Sequence, residues 1–330
     1  MSESIITRVL QLSVAVEALA ALGAELRASQ EDLDVDPRVR ALLQEAVAAI
    51  GPQLLDERKP EEAASALALV RTVFRQALDL LDNPTRAPGW SYDDPVVLQT
   101  QGQVSRVIVH RIDALAKRHP PLAAALRAPG VFLDVGAGVG WLAIEAARTW
   151  PELKVWGLDP WEPALALARE NLAHSNVADR VAFRAQRIEE FEEVGTVTIA
   201  WVPGPFIARH VADRALGSVF RGLLPGGWLV FGLMAPPANS LADAVARLRT
   251  LRSGGHSWTA DEVVERLRQL GFTAIEAIST GSPVHLVLAQ RPPHTSFATS
   301  PSRDSVAGRG PRDFLVALWC SASPMWTGAR

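Results

Sequence analysis

The residues of this sequence best suited to chemistry are glycines that follow an acidic residue, Asp134-Val-Gly136-Ala-Gly138-Val-Gly140. The run comes directly after an apolar segment of strand length and opens a helical pattern. Glycines at a strand-to-helix turn let the backbone approach a ligand closely, and the N-terminus of the helix offers free N–H groups. We therefore predict that this turn forms part of a ligand site.

A second acidic residue, Asp159, ends the next strand-like segment, nineteen residues after Gly140. Ligands of open α/β sheets bind outside the carboxyl ends of the strands, where a carboxylate can accept hydrogen bonds from both hydroxyls of a ribose. Dinucleotide sites require G-x-G-x-x-G, whereas the spacing here is G-x-G-x-G and the third position of that fingerprint is Trp141. A dinucleotide-dependent oxidoreductase is therefore disfavoured, and Asp159 can alternatively cap the next helix.

Strand-like segments position these residues. They alternate with helical patterns from residue 130 onward, which predicts a parallel sheet covered on both faces. The connection 279–283 between the last two is too short for a helical crossover, so these two strands must form an antiparallel hairpin. The predicted strands are 131–136, 153–159, 180–185, 196–202, 225–233, 272–278 and 284–290.

The N-terminal part of the chain reads as helical, with helices over 5–28, from Asp36-Pro37 to 50 and from Pro60 to about 81. A further helix is predicted to run from Asp94-Pro95 to the breaker His119-Pro120-Pro121. We predict a helical domain over 1–88, a core over 89–291 and a disordered tail over 292–330, which is rich in Pro, Ser, Gly and Arg.

Composition excludes several classes of function. The net charge is -3, so we expect no general attraction to nucleic acid or to anionic membranes. The single cysteine, Cys320, excludes an intramolecular disulfide and a cysteine-built zinc site. The apolar stretch Val14–Ala24 contains Glu17, and only Arg8 precedes it, so we interpret it as an amphipathic helix and expect neither a signal peptide nor a membrane span. A cytoplasmic location is expected.

The segment from about 95 to 291 resembles a class I S-adenosylmethionine-dependent methyltransferase of the small-molecule type with a helical N-terminal extension. The resemblance implies an α/β, Rossmann-like sheet of seven mostly parallel strands with an antiparallel last strand, plus an all-helical N-terminal domain. It also implies S-adenosylmethionine as the cofactor. The motifs that carry it are DVGAGVG (134–140), GLDP (157–160), AQRIEEF (185–191) and LLPGGWLV (223–230).

The resemblance also implies roles for single residues. Asp134 would orient the glycine loop or meet the cofactor's ammonium, and Asp159 would hold the ribose. Gln186 stands where the family usually has an aspartate that reads the adenine amino group, although a glutamine carbonyl can accept the same bond. Trp201 reads equally well as an ordinary core residue. The implied cofactor-binding residues are Asp134, Gly136, Ala137, Gly138, Gly140, Asp159, Pro160, Trp161, Gln186, Arg187, Ile188, Trp201 and Pro203.

The methyl acceptor is constrained by what the sequence lacks. Relatives that methylate amino groups hold the substrate with an amide or an acidic side chain after the fourth strand. Residues 202–206 contain no such side chain. Residues 196–209 contain no acid, so no metal is expected. Residues 234–238 lack the histidine of plant-type O-methyltransferases. We predict Tyr92, His110 and His256 as catalytic residues, although a lone histidine is more often structural or solvated. The predicted acceptor pocket comprises Trp90, Tyr92, Phe206, His210, Met234 and Trp258.

Our leading hypothesis is metal-independent methyl transfer to a small, largely apolar molecule, at oxygen. The alternatives are a C- or N-methyltransferase of a natural product or peptide, and a catalytically silent cofactor-binding dimer. The N-terminal helices are expected to support a homodimer, a substrate lid or both. The expected partner is thus a small-molecule acceptor, with neither nucleic acid nor membrane.

Overall fold

The computed structural model describes residues 4–51, 60–234, 240–280 and 284–293. Within this part, seven strands form one sheet in the order β3-β2-β1-β4-β5-β7-β6. Strands β1 to β5 pair in parallel, whereas β7 is antiparallel to both β5 and β6. The strands are β1 (Gly130–Val135), β2 (Leu153–Asp159), β3 (Val181–Ala185), β4 (Val197–Pro203), β5 (Leu223–Met234), β6 (Thr273–Ile278) and β7 (Val284–Gln290).

This sheet confirms the predicted fold class and the predicted antiparallel pairing of the last two strands, whose connecting residues 281–283 lie outside the described residues. The central strands are buried on both faces. Phe132 belongs to the apolar cluster on one face and Leu133 to the cluster on the other. Side chains alternate along a strand, so a run such as 131–135 must be apolar throughout when helices cover both faces.

Helices begin and end largely where the sequence places them. Asp36 and Asp94 each accept a hydrogen bond from the backbone N–H two residues on, and each precedes a first-turn proline. The helices are α1 (Ile5–Gln30), α2 (Pro37–Ile50), α3 (Pro60–Asp82), α4 (Pro95–Ser105), α5 (Val107–Ala116), α6 (Pro120–Arg127), α7 (Trp141–Thr149), α8 (Glu162–Ala173), α9 (Ala212–Gly222), α10 (Leu241–Arg252) and α11 (Ala260–Gln269).

The helix predicted from Pro95 to the His119 breaker is interrupted at Arg106, and this prediction was wrong. The Arg106 N–H bonds to the Gln103 carbonyl at 3.3 Å, a three-residue spacing in place of the four-residue spacing of an α-helix. The Arg106 guanidinium lies 2.8 Å from the carboxylate of Glu145 on α7, a residue that is 9% exposed. The break therefore sits where the helix is anchored to the core.

The N-terminal helices pack on one another through the second half of α1. Leu26 forms a small buried cluster with Ala63 and Leu67 of α3. The first half of α1 is apolar and exposed. An 18-residue window of this helix has a mean hydropathy of 1.7 and contains no buried residue. By length and composition alone, α1 is long and apolar enough to cross a membrane. The predicted division at residue 88 stays a prediction, and residues 294–330 of the predicted tail lie outside the described residues.

We predict that Arg106→Ala lowers the free energy of unfolding by about 2–3 kcal/mol. Removing one partner of a buried ion pair costs about 3–5 kcal/mol, and Arg106 is itself 40% exposed, which reduces the loss. Urea unfolding measures the change. The control is Asp113→Ala, which removes an exposed pair with Lys117 and is expected to cost less than about 0.5 kcal/mol. Equal losses in the two variants would contradict the anchoring role.

Candidate functional site

The glycine loop between β1 and α7 is bonded to the end of β2. The N–H groups of Gly136 and Ala137 donate to the Leu158 carbonyl at 2.8 and 2.9 Å. The carboxylate of Asp159 accepts the Gly138 N–H at 2.8 Å with one oxygen and the Trp161 N–H at 2.8 Å with the other. Asp159 therefore holds the loop and the start of α8 together at the carboxyl edge of the sheet.

Two glycines of this loop have different reasons for lacking a side chain. Gly138 has a left-handed φ of +54°, and a Cβ there would meet no atom within 4 Å. Gly140 has a φ of +80°, and a Cβ there would overlap the Phe183 ring. Gly140 is thus required for packing, whereas Gly138 leaves its backbone open to an approaching ligand.

Asp134 is a buried carboxylate with an unmet hydrogen-bonding capacity. It lies on β1, is 1% exposed and accepts a backbone hydrogen bond from Ala143 at the start of α7. Its Oδ2 has no hydrogen-bond partner among the described residues. Burial, and then the neighbouring charge of Asp159, raise the pKa of Asp134 well above its usual range. Burial also raises the pKa of Asp159, against the opposing effect of the N–H groups of Trp161 and Gly138. The carboxyl edge of the sheet therefore holds two buried carboxyl groups, which a cation or a hydrogen-bond donor would stabilise in their charged form.

Other residues predicted to bind the cofactor lie around this edge. Pro203, at the end of β4, lies against the loop, since a Cβ on Gly136 would be 3.4 Å from its ring. Trp161 packs in a cluster with Leu98 and Val139, and its indole N–H donates to the Tyr92 carbonyl at 2.8 Å. Pro160 is exposed between Asp159 and Trp161.

Three further predicted residues are differently placed. The Gln186 amide donates to the Glu190 carbonyl at 2.7 Å, next to exposed Arg187. Ile188 is 6% exposed and belongs to the core. Trp201 is 5% exposed and its ring packs where a Cβ on Gly232 would lie. The roles of these residues toward a cofactor stay predictions.

Aromatic residues from two separate segments meet beyond the end of β4. The ring of Trp90 makes edge contacts with Tyr92 and with Phe206, at centroid distances of 5.4 and 5.8 Å. Phe206 is 51% exposed and offers an apolar surface. The segment after α10 covers the same turn, because a Cβ on Gly255 would overlap the Pro205 carbonyl oxygen. The sequence marks Gly254-Gly255 only as a break between helices, and this close approach was missed.

The polar groups predicted to be catalytic are all engaged by other side chains. The Tyr92 hydroxyl donates to Asp79 Oδ2 at 2.9 Å, and burial raises the pKa of Tyr92, as does this bond. His256 Nε2 lies 3.2 Å from Arg209 Nη1. A guanidinium only donates, so that nitrogen accepts and the proton of a neutral ring is on Nδ1. Burial lowers the pKa of His256. His110 lies on α5, 3.3 Å from Glu145.

The remaining predicted acceptor residues are dispersed. Trp258 is 5% exposed, donates to the Ile207 carbonyl at 3.1 Å and packs near Phe231 in the core. His210 is exposed, and Met234 is 41% exposed at the end of β5. The structure therefore brings Trp90, Tyr92 and Phe206 together, with the His256 segment beside them, and leaves His110 on the α5–α7 contact.

Comparisons with known proteins relate this site to a family. Residues 132–227 match the family model described as "Methyltransferase domain". The demethylmenaquinone methyltransferase of Deinococcus radiodurans is 30% identical over 154 residues, covering 44% of this chain and 60% of that protein. The chain thus spans less than two thirds of the length of this curated relative.

Solved structures share the fold over most of the chain. An O-methyltransferase family protein from Burkholderia thailandensis is 16% identical, with a TM-score of 0.66 over 89% of this chain and 100% of that chain. Human N-acetylserotonin methyltransferase in complex with S-adenosylmethionine is 15% identical, with a TM-score of 0.60 over 88% and 99%. At these identities the likeness is one of fold, including the helical N-terminal extension.

We predict that Asp134→Asn stabilises the ligand-free protein at neutral pH. The pKa of Asp134 is raised in the folded state, so its stability contribution is fully present below the ordinary carboxyl pKa and is lost as pH rises through the folded value. Asparagine is uncharged at every pH and so avoids the cost of the buried ionised carboxylate, and the gain in stability should vanish near pH 4, where Asp134 is protonated in both states. Thermal unfolding from pH 4 to 8 measures it. Exposed Asp179→Asn is the control, and a gain that is independent of pH would refute the explanation.

Proposed function

We propose that this chain, whose residues 132–227 match a methyltransferase domain, is a class I S-adenosylmethionine-dependent methyltransferase. It transfers the cofactor's methyl group to a small, largely apolar acceptor, at oxygen and without a metal. The observation that carries the proposal is the meeting of the exposed Phe206 ring with Trp90 at the end of β4, the strand whose Pro203 lies against the glycine loop. This arrangement supports an apolar acceptor surface beside the edge where we predict the cofactor to bind.

The residues at this edge fit S-adenosylmethionine. One carboxylate oxygen of Asp134 has no partner among the described residues and could accept a hydrogen bond from an ammonium group, and Gly138 leaves open space over the loop. Each oxygen of Asp159 accepts one N–H and retains a lone pair for a ribose hydroxyl. When bound, the cofactor supplies a methyl group on a positively charged sulfur, and that carbon–sulfur bond breaks as the acceptor atom bonds to the carbon.

The chain's own contribution is binding and alignment. Trp90 and Phe206 would hold an apolar acceptor and exclude water, and proximity alone can lower such a barrier by about 7–11 kcal/mol. The Tyr92 hydroxyl and His256 Nε2 are already bonded to Asp79 and Arg209. An acceptor that readily loses its proton to water, such as a phenol, an enol or a carboxylic acid, suits this site.

A second candidate is transfer to carbon or nitrogen of a natural product or peptide. It is favoured by the name of a curated relative, a demethylmenaquinone methyltransferase, because that name does not specify oxygen as the acceptor atom. Labelled cofactor incubated with a metabolite extract of the source organism, followed by mass spectrometry of the labelled product, distinguishes the acceptor atoms. Cofactor binding without any labelled product would support a silent cofactor-binding protein instead.

The cofactor assignment predicts that Asp159→Ala weakens binding of S-adenosylhomocysteine by more than tenfold. Hydrogen bonds to a charged group contribute about 1.5–3 kcal/mol, and the loop also loses its anchor. Calorimetry with S-adenosylhomocysteine and with NAD measures both affinities, and exposed Asp179→Ala serves as the control. Tight binding of NAD without S-adenosylhomocysteine would sink the proposal, as would an unchanged affinity of Asp159→Ala.

We further propose that the N-terminal helices bind a second copy of the chain. An open cavity of about 390 Å³ lies between α1 and α3, lined by apolar residues such as Phe74 and by three arginines, and the first half of α1 exposes the apolar residues Leu10 and Val14. Such an exposed apolar face is a typical interaction surface.

We predict that Leu10→Glu with Val14→Glu converts a dimer into a monomer in sedimentation velocity. Val194→Glu replaces an equally exposed apolar residue after β3 and should leave the dimer intact. A monomeric unsubstituted protein would refute this proposal, and partition of that protein into detergent micelles through α1 would indicate a membrane partner in its place.

A further inference from the structure

The carboxylate of Asp79, near the end of α3, is the centre of a polar cluster outside the sheet. Its Oδ2 accepts the Tyr92 hydroxyl and the Arg252 Nη2, both at 2.9 Å, and Arg86 Nη2 lies 3.2 Å away. The side chains of Asp79, Arg86 and Arg252 are only 20%, 19% and 13% exposed. Burial acts to raise the pKa of Asp79, but the bonds from Arg252 and Tyr92 outweigh it and hold that pKa below its usual value.

Each partner of Asp79 holds one part of the segment that carries Trp90. The Arg252 carbonyl accepts the Gly89 N–H at 3.0 Å. The Arg86 guanidinium donates to the Gly89 carbonyl at 2.9 Å and to the Ser91 hydroxyl at 2.8 Å. Gly89 and Ser91, which flank Trp90, are therefore held in place by the two arginines that pair with Asp79.

Tyr92 makes a second hydrogen bond in the other direction. Its carbonyl accepts the indole N–H of Trp161, at 2.8 Å. Trp161 follows the Asp159-Pro160 pair, and its backbone N–H donates to the Asp159 carboxylate. One residue thus connects the edge that binds the cofactor to helix α3, 13 residues earlier in the chain.

We propose that Asp79 and Tyr92 act as positioning residues that hold the acceptor-side aromatic pair Trp90–Phe206 in register with the cofactor. Asp79 orients Tyr92 and the two arginines, and Tyr92 transmits the position of Trp161 to the segment that carries Trp90. The inference rests on the proposed function, since it assigns this pair to the acceptor side. Neither Asp79 nor the Tyr92 hydroxyl takes part in methyl transfer in this scheme.

The chain offers a selective probe, because Tyr92 is its only tyrosine. Full-length protein labelled with ¹³C at the tyrosine Cζ gives one resonance, which reports the state of the hydroxyl. Titration with S-adenosylhomocysteine should move this resonance saturably, with the affinity found by calorimetry. At saturating ligand, Trp161→Phe, which lacks the N–H donor, should reduce the movement.

Asp79→Asn provides the second measurement. The groups that face the Tyr92 hydroxyl are Asp79, Arg86 and Arg252. Loss of the carboxylate leaves the two arginines, so the pKa of Tyr92 should fall relative to the unsubstituted protein. Asp82→Asn, an exposed acid at the end of the same helix, should leave the Tyr92 resonance and its titration unchanged.

The outcomes separate this inference from the proposed function. Absence of S-adenosylhomocysteine binding in calorimetry overturns the proposed function. Normal binding with a Tyr92 resonance that does not move overturns the positioning role alone. A Tyr92 pKa that is the same in Asp79→Asn and Asp82→Asn also overturns it, because the bond to Asp79 would then be absent. A merely structural role would lower the thermal stability of Asp79→Asn and leave the movement of the Tyr92 resonance on ligand binding unchanged.

Discussion

The carboxylate of Asp159 is the constraint on which the rest of the site depends. Its two oxygens bind the N–H groups of Gly138 and Trp161, so the loop after β1 and the helix after β2 share one anchor. Parallel strands place these two ends side by side. A second acidic residue, Asp134, is buried close to Asp159, and one of its carboxylate oxygens has no hydrogen-bond partner among the described residues. These buried carboxylates destabilise the protein while the site is empty. A positively charged ligand removes this cost, and the relief adds to the free energy of its binding.

Much of the fold could be predicted from the sequence because its signals are local. Continuous apolar segments indicate strands that are buried on both faces, and the five-residue connection 279–283 is too short to cross over a sheet. The Asp36-Pro37 and Asp94-Pro95 pairs mark helix starts through bonds made within two residues. The glycine loop could be predicted for the same reason, since positive φ angles at Gly138 and Gly140 require glycine whatever the rest of the chain does.

What the sequence did not reveal depends on residues far apart in the chain. The helix break at Arg106 is anchored by Glu145, 39 residues later, and no local pattern predicts that contact. Asp79 and Arg252 are separated by 173 residues. Both read as ordinary surface charges on amphipathic helices, because hydropathy does not distinguish a solvated ion from one that pairs across a domain. The role of Tyr92 in catalysis or in an acceptor pocket stays a prediction, and no local pattern identifies Asp79 as the partner of its hydroxyl.

The engaged state of the polar groups bears on how such a site would act. Tyr92 and His256 lie near the acceptor side. The Tyr92 hydroxyl is hydrogen-bonded to Asp79, and His256 Nε2 is hydrogen-bonded to Arg209. Asp79 also accepts a hydrogen bond from Arg252, and Arg209 also donates to Glu262, so Tyr92 and His256 each belong to a cluster of charged groups. Tyr92, whose ring contacts Trp90, is therefore better suited to hold the aromatic pair Trp90–Phe206 in place than to exchange protons. A displacement at a sulfonium methyl group depends mainly on the alignment of its atoms, and a rigid apolar surface serves that requirement without a base.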